Sequence, residues 1–236
     1  MPNRSLYFFL FLGLLSCTDS LEEETILSYE IDHSKSQVAF FLMDSVTNSN
    51  YYSFQSLSEH LSADDKKMTF ALNGGMFNPD YQPVGLYIED SKTLSPLNIQ
   101  TGEPGNFYLS PNGIYGIKND NTPFISTTQE FTDNSNIKYA TQSGPMLLID
   151  GKTHSKFKQG SENLNIRNGV GILPNGNSIF AISIEEINFY DFAKYFKDKG
   201  CENALYLDGF VSKMYLPAKG EDDLGGEFGV IIAEYE

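Results

Sequence analysis

The run Ala204-Leu205-Tyr206-Leu207 is strand-forming and mostly apolar, and it stops abruptly at Asp208-Gly209. A carboxylate directly after a buried strand is held by the core behind it while its oxygens face outward, so Asp208 is a candidate reactive group. Asp-Gly is also a common turn dipeptide, and it is the rest of the chain that separates the two readings. Met68-Thr69-Phe70-Ala71-Leu72 runs into Asn73-Gly74-Gly75, and Ile137 to Thr141 runs into Gln142-Ser143-Gly144-Pro145. Two glycines after a strand permit positive φ and a close backbone approach, and their successive N–H groups can form a concave nest that cradles an anion, while a tight turn alone explains them equally well. A fourth stretch, Arg167-Asn168-Gly169-Val170-Gly171, opens a strand with an unusual cation. Lysine occurs 14 times in the chain, whereas arginine occurs only at positions 4 and 167. A guanidinium fork binds phosphate or carboxylate through parallel hydrogen bonds that lysine cannot make, so Arg167 is the candidate anion clamp.

The elements that must position these residues are short. Ile26 to Ile31 and Gln37 to Met43 read as strands around an Asp32-His33-Ser34-Lys35 turn, with His33 a turn residue. Ser56-Leu57-Ser58-Glu59 has a capping-box pattern and predicts a helix start, with His60 on the polar side. Asn106 to Ile117 carries Asn112-Gly113 and reads as a hairpin, followed by a polar excursion from Asp120 to Asn136. A second hairpin turns at Asn175-Gly176. Asn188 and Asp191 cap a helix with Phe189, Phe192, Ala193 and Phe196 on one face, closed by Gly200. The fold class expected from these elements is α+β, one domain with more strand than helix.

The 236 residues are 40% hydrophobic and carry a formal charge of −15, which suits one good-sized core and excludes nucleic acid as a natural partner. Arg4, an apolar segment from Leu6 to Leu15, and Leu14-Leu15-Ser16-Cys17 resemble a bacterial lipoprotein signal. On that reading residues 1–16 are a signal peptide, Cys17 is the lipidated first residue, 17–25 is a tether and 26–236 is the domain. The product is exported and held to the membrane, at the periplasmic face or the cell surface, by its acyl chains. Cys201 is then the one remaining cysteine, so no internal disulfide forms and a buried apolar role is expected. His154 has no ligand-spaced partner and reads as a surface or supporting residue. Glu221, Asp222 and Asp223 lack EF-hand spacing and read as a solvated turn. No cofactor is indicated, although the sequence leaves a divalent metal and the oligomeric state open.

Taken together, Asn73-Gly74-Gly75-Met76-Phe77, Gln142-Ser143-Gly144-Pro145-Met146-Leu147, Arg167-Asn168-Gly169-Val170-Gly171 and Leu207-Asp208-Gly209 resemble, in order and spacing, the phosphodiester glycosidase family. The resemblance runs from Ile26 to Glu236 and implies a single compact α+β domain with a curved mixed, mainly antiparallel sheet and a few helices. It differs at the last motif, where many members resemble Asp-Gly-Gly-Gly-Ser and this chain has Asp208-Gly209-Phe210-Val211-Ser212, closer to a short secreted bacterial branch. The resemblance implies hydrolysis of a sugar-1-phosphodiester at the anomeric carbon. Asp208 would be nucleophile or base, Arg167 and the Gly74-Gly75 amides would hold the phosphate, and Asn73 and Asn168 would orient sugar hydroxyls. Ser143, Gly144, Gly209 and Ser212 would complete the substrate site, with Glu185 a possible second carboxylate. Arg167 close to Asp208 would also lower its pKa. The alternative from another class is a non-catalytic envelope module gripping a phosphoglycan or other anionic glycan with the same donors.

Overall fold

A computed structural model describes residues 25–132 and 135–236. Besides a two-stranded ribbon of Met43–Asp44 and Ser49–Asn50, three antiparallel sheets share one core. The first has six strands, in spatial order Ile26–Ile31, Ser178–Ser183, Asn168–Ile172, Ala204–Tyr206, Met146–Ile149 and Lys152–Thr153. The second has five, in the order Lys92–Ser95, Tyr87–Glu89, Ile137–Ser143, Gly113–Lys118 and Pro123–Thr127. The third has four: Met214–Tyr215, Met68–Asn73, Ile231–Tyr235 and Gln37–Phe41. The strand-rich reading with few helices holds. The single curved mixed sheet does not, because every strand pairing among the described residues is antiparallel and the strands divide among separate sheets.

The sheets meet through aromatic rings. Phe40 stacks on Tyr115 and Tyr139, while Phe180 packs on Phe70 and Tyr115, which joins residues of all three sheets in one apolar cluster. Each such fully buried ring contributes about 1.5–3 kcal/mol of transfer free energy. Helix α1 (Phe54–Ala63) lays Phe54, Leu57 and Leu61 on the outer face of the four-stranded sheet, against Met68, Ala71, Ile231 and Ala233. Helix α2 (Phe189–Asp198) lays Phe189, Phe192, Ala193 and Phe196 on the six-stranded sheet. Strand Ala204–Tyr206 lies between these layers. Leu205 and Leu207 face the shared core, and Ala204 and Tyr206 face the α2 layer, as the two-residue period of a strand requires.

Several local expectations hold and several shift. The α2 cap is as read: Asn188 Oδ1 accepts from the Asp191 N–H, and Gly200 has φ +83°. The Asn175-Gly176 turn joins two paired strands. For α1 the cap is Ser53, whose hydroxyl accepts from the Ser56 N–H, so the helix begins a turn earlier than the Ser56 box predicts. The Asn106–Ile117 hairpin is absent. Asn106–Tyr108 is a 3-10 turn whose Phe107 carbonyl accepts from Asn112 Nδ2, and this pins Asn112 inside as the lead-in to Gly113–Lys118 rather than leaving it at a tip. That strand instead pairs with Pro123–Thr127, which lies inside the stretch expected to be a loop. His33 is buried, with Nε2 2.8 Å from Ser178 Oγ. His154 is buried as well, stacked on Phe157, with Nε2 3.1 Å from the Ser110 carbonyl. Cys201 is buried and its thiol is pushed up to about 11 by desolvation, in keeping with an apolar role.

Candidate active site

Strand ends from all three sheets meet beneath Asp208. Met68–Asn73 brings Asn73 from the four-stranded sheet, Ile137–Ser143 brings Ser143 from the five-stranded sheet, and Asn168–Ile172 lies beside Ala204–Tyr206 in the six-stranded sheet. Their side chains grip the main chain of the turn. Ser143 Oγ donates to the Leu207 carbonyl at 3.0 Å, and Asn73 Nδ2 donates to the Asp208 carbonyl at 2.9 Å. Ser212 Oγ donates to the same Asp208 carbonyl at 3.2 Å. Asn73 is itself oriented: its Oδ1 accepts from the Lys213 N–H at 2.9 Å and from Asn168 Nδ2 at 2.8 Å. Asn73, Ser143 and Asn168 are thus buried beneath the turn, and in this arrangement their polar groups aim Asp208 instead of facing a ligand. Asn168 Oδ1 is buried without a hydrogen-bond partner among the described residues.

Asp208 is 9% exposed, and one carboxylate oxygen accepts from the Phe210 N–H at 3.1 Å. Burial pushes it up to about 6, with the Phe210 N–H acting against that rise. It opens onto a cleft of about 370 Å³ lined by Met76, Phe77, Asn78, Pro79, Val84, Phe107, Tyr108 and Phe210. The walls are mostly aromatic and apolar, and Asp208 is their one ionised group at neutral pH. Phe210, at 98% exposed, stands on the rim. Aromatic walls around a single acid suit the apolar face of a sugar ring with a reacting carbon presented to a carboxylate.

Arg167 is placed differently from the expectation. Its guanidinium is fully buried, 3.6 Å from the Phe189 ring centroid, and does not line the cleft. Nε donates to the Ile187 carbonyl at 2.7 Å, and Nη2 donates to the carbonyl and Oδ1 of Asn163 at 2.9 and 2.8 Å. Nη1 reaches the Tyr206 hydroxyl at 3.5 Å. All these acceptors are neutral, and among the described residues no carboxylate pairs with it. The predicted lowering of the Asp208 pKa therefore does not occur, since burial dominates and Arg167 is not among its influences. Tyr206 lies between the two. Burial pushes its phenol up to about 12, and its hydroxyl packs where a Cβ of residue 209 would stand. Sequence reasoning missed Tyr206, although the strand period that places it two residues before Asp208 was a usable signal.

The glycines serve close packing. Gly74 and Gly75 do not have positive φ, and the Gly74 N–H donates to the Val230 carbonyl at 2.8 Å, so the anion nest is not formed. A Cβ at Gly75 would lie 2.6 Å from the Gln142 carbonyl, at Gly144 2.6 Å from Asn112 Cβ, and at Gly209 it would overlap the Tyr206 hydroxyl. Glu185 sits exposed in the bend between Ser183 and α2 and does not line the cleft. Among the described residues no cluster of three or more His, Cys, Asp or Glu is arranged to hold a metal, and no helix is long and apolar enough to cross a membrane. Cys17 lies outside the described residues.

Comparison with known proteins places this geometry. The chain is 40% identical over 151 residues to the uncharacterized protein YigE of Escherichia coli K12, a match covering 64% of this chain and 59% of that one. It thus spans about three-fifths of the length of that relative. Its fold is similar to the catalytic domain of zebrafish N-acetylglucosamine-1-phosphodiester alpha-N-acetylglucosaminidase, auto-inhibited by its pro-peptide. The TM-score is 0.55 at 17% identity, over 90% of this chain and 84% of that one. A putative exported protein of Burkholderia pseudomallei is also similar, with TM-score 0.56 at 12% identity, over 89% of this chain and 73% of that one. The model of the phosphodiester glycosidase family matches residues 66–227, a span that takes in all four strand-end motifs and Asp208. The chain belongs to the phosphodiester glycosidase family.

Proposed function

We propose that this protein hydrolyses a sugar-1-phosphodiester at the anomeric carbon, with Asp208 as the reacting carboxylate. The observation that carries the reading is a single carboxylate, pushed up to about 6, in an aromatic cleft and aimed by strand ends from three sheets. Ordinary glycoside hydrolysis uses two carboxyl groups, one of them to protonate the departing oxygen. A phosphate monoester departs as an anion without that proton, so one carboxylate suffices for a phosphodiester. Above about pH 6 Asp208 is ionised and faces the carbon that becomes cationic as the bond breaks. Phe77, Tyr108 and Phe210 offer stacking surfaces for the sugar. Arg167, buried without a carboxylate partner, supplies positive charge behind the turn toward the leaving phosphate.

The protein does this work, on the same proposal, as an exported lipoprotein anchored through Cys17. The motif Leu14-Leu15-Ser16-Cys17 and its basic, apolar lead-in support the reading. Release of phosphate monoester from a panel of sugar-1-phosphodiesters, with an N-acetylglucosamine derivative among them, tests the reaction. Wild type is expected to turn over at least one substrate, with Asp208→Asn slower by about 10²-fold or more at similar KM. Equal rates in the two proteins would remove Asp208 from the chemistry. Binding of the panel without turnover would favour a glycan-binding module instead.

A further inference from the structure

Two tyrosines near the Asp208 cleft hold a backbone conformation that bulky side chains avoid: φ is 60° at Tyr52 and 59° at Tyr81. There the Cβ of an L-residue crowds its own backbone, and glycine or asparagine is the usual occupant. Both conformations are enforced by their surroundings. The Tyr52 carbonyl accepts from the Phe228 N–H at 2.6 Å. The Tyr81 N–H donates to the Asn78 carbonyl at 2.8 Å, and the Tyr81 carbonyl accepts from Asn50 Nδ2 at 3.1 Å. Asn78 closes the same turn, its Oδ1 accepting from the N–H groups of Asp80 and Gln82. Strain that the neighbouring bonds impose in this way clusters at ligand-binding sites.

What these conformations produce is a row of rings. Phe77, a wall of the Asp208 cleft, stacks on Tyr81 with centroids 5.4 Å apart and planes 13° from parallel. Tyr81 meets Tyr52 edge-on at 4.8 Å. Gly229 leaves room for Phe77, since a Cβ there would stand 2.7 Å from the Phe77 Cβ. The row thus leads from the cleft out to Tyr52, which is 43% exposed. The Tyr81 hydroxyl donates to Glu227 Oε2 at 3.3 Å, which sets a carboxylate beside the rings. Among the described residues, no lysine or arginine lines the cleft or lies over these three rings. Aromatic faces flanked by hydrogen-bonding groups suit a pyranose ring and its hydroxyls, whereas a carboxylate without a cation repels phosphate.

We propose that Phe77, Tyr81 and Tyr52 form a ledge that holds a second sugar, so that the substrate is an oligosaccharide bearing the phosphodiester on its reducing-end anomeric carbon. The reducing-end sugar occupies the cleft at Asp208, its neutral neighbour lies on the ledge, and the phosphodiester points away from Glu227. This rests on the reaction proposed for Asp208. A glycan fits the ledge better than a membrane surface does. Insertion among acyl chains would take the Glu227 carboxylate and the tyrosine hydroxyls out of water, and a formal charge of −15 repels anionic lipid.

The test uses the full chain with Tyr52→Asn and, separately, Tyr81→Asn, because asparagine accepts positive φ while removing the ring. Each protein is assayed on matched mono- and disaccharide 1-phosphodiesters built from the same sugar. The ratio of kcat/KM, disaccharide over monosaccharide, is expected to be about 10 in wild type and near one in either variant, with the change in KM. Binding of phosphate-free chitotriose, mannotriose and maltotriose, followed by NMR of the tyrosine ring protons, is the second measurement. At least one trisaccharide is expected to bind wild type and to be lost in both variants. A ratio near one in wild type, or a fall shared equally by both substrates in the variants, overturns the ledge and leaves the reaction at Asp208 standing. Trisaccharide binding that both variants lose, in a protein that cleaves no phosphodiester, supports the ledge and overturns the reaction. Binding to phosphatidylcholine vesicles through the same tyrosines, with no trisaccharide bound, overturns the glycan as occupant.

Discussion

Replacing Asp208 by Asn should make the protein more stable at neutral pH, and the size of the gain follows from the burial of the carboxyl. In the unfolded chain an aspartate titrates near its ordinary value of 3.8, whereas the folded state holds Asp208 at about 6. Between those values the native state binds a proton that the unfolded state has lost. Stability therefore falls as pH rises through that window, by about 1.4 kcal/mol per unit, and levels off above about pH 6. The ionised carboxylate costs the fold about 3 kcal/mol at pH 7 on this reckoning, an upper figure because the cleft admits water. Asparagine keeps an oxygen to accept the Phe210 N–H but carries no charge to desolvate. Urea unfolding of both proteins at intervals from pH 4 to 8 gives the difference curve, in which every other titrating group cancels. It should be small at pH 4, climb through pH 5 to 6 and reach a plateau favouring the variant. A flat difference, or a wild type that is the more stable protein at pH 8, would refute the claim that Asp208 is held poorly solvated. Such a result would also remove the physical basis for its reactivity.

His33, buried on Ser178 and pushed down to about 4, works with the opposite sign: its contribution is complete above about pH 6.5 and is lost as pH falls toward 4, so His33→Gln should flatten acid unfolding over that range by up to about 3 kcal/mol. Asn73→Ala leaves the Asp208 carbonyl and the Lys213 N–H without that partner, which should cost about 2–4 kcal/mol in urea unfolding and lower kcat more than it raises KM. Gly75→Ala drives a methyl into Thr141 and the Gln142 carbonyl, and a loss of about 1–3 kcal/mol is expected, with wild-type stability counting against the close packing drawn here. Cys17→Ser should move the protein from the membrane fraction to the soluble fraction in a cell fractionation, and an unchanged distribution would count against lipidation.

What the sequence decided alone was local and periodic. The α2 helix is legible because Asn188, the aromatic stripe from Phe189 to Phe196 and Gly200 all act within a few residues of one another. Asp208 is legible because an apolar strand ending in a carboxylate is a local pattern, and so is the burial of Cys201. The family is legible because four strand-end motifs keep their order. What only the tertiary structure decided is what each polar side chain faces. Asn73 and Asn168 look like ligand donors in one dimension, but they stand 95 residues apart and meet as partners of each other under the Asp208 turn. Gly74 and Gly75 admit either an anion nest or a close backbone approach, and the second holds because Val230 and Gln142 arrive from distant parts of the chain. Arg167 stands out by composition as an anion clamp, and its burial on Phe189, beside Tyr206, depends on α2 packing over the six-stranded sheet. The physical reason is common to these cases: backbone conformation responds to neighbours in sequence, whereas burial, hydrogen-bond partners and pKa are set by whichever strands the sheets bring together.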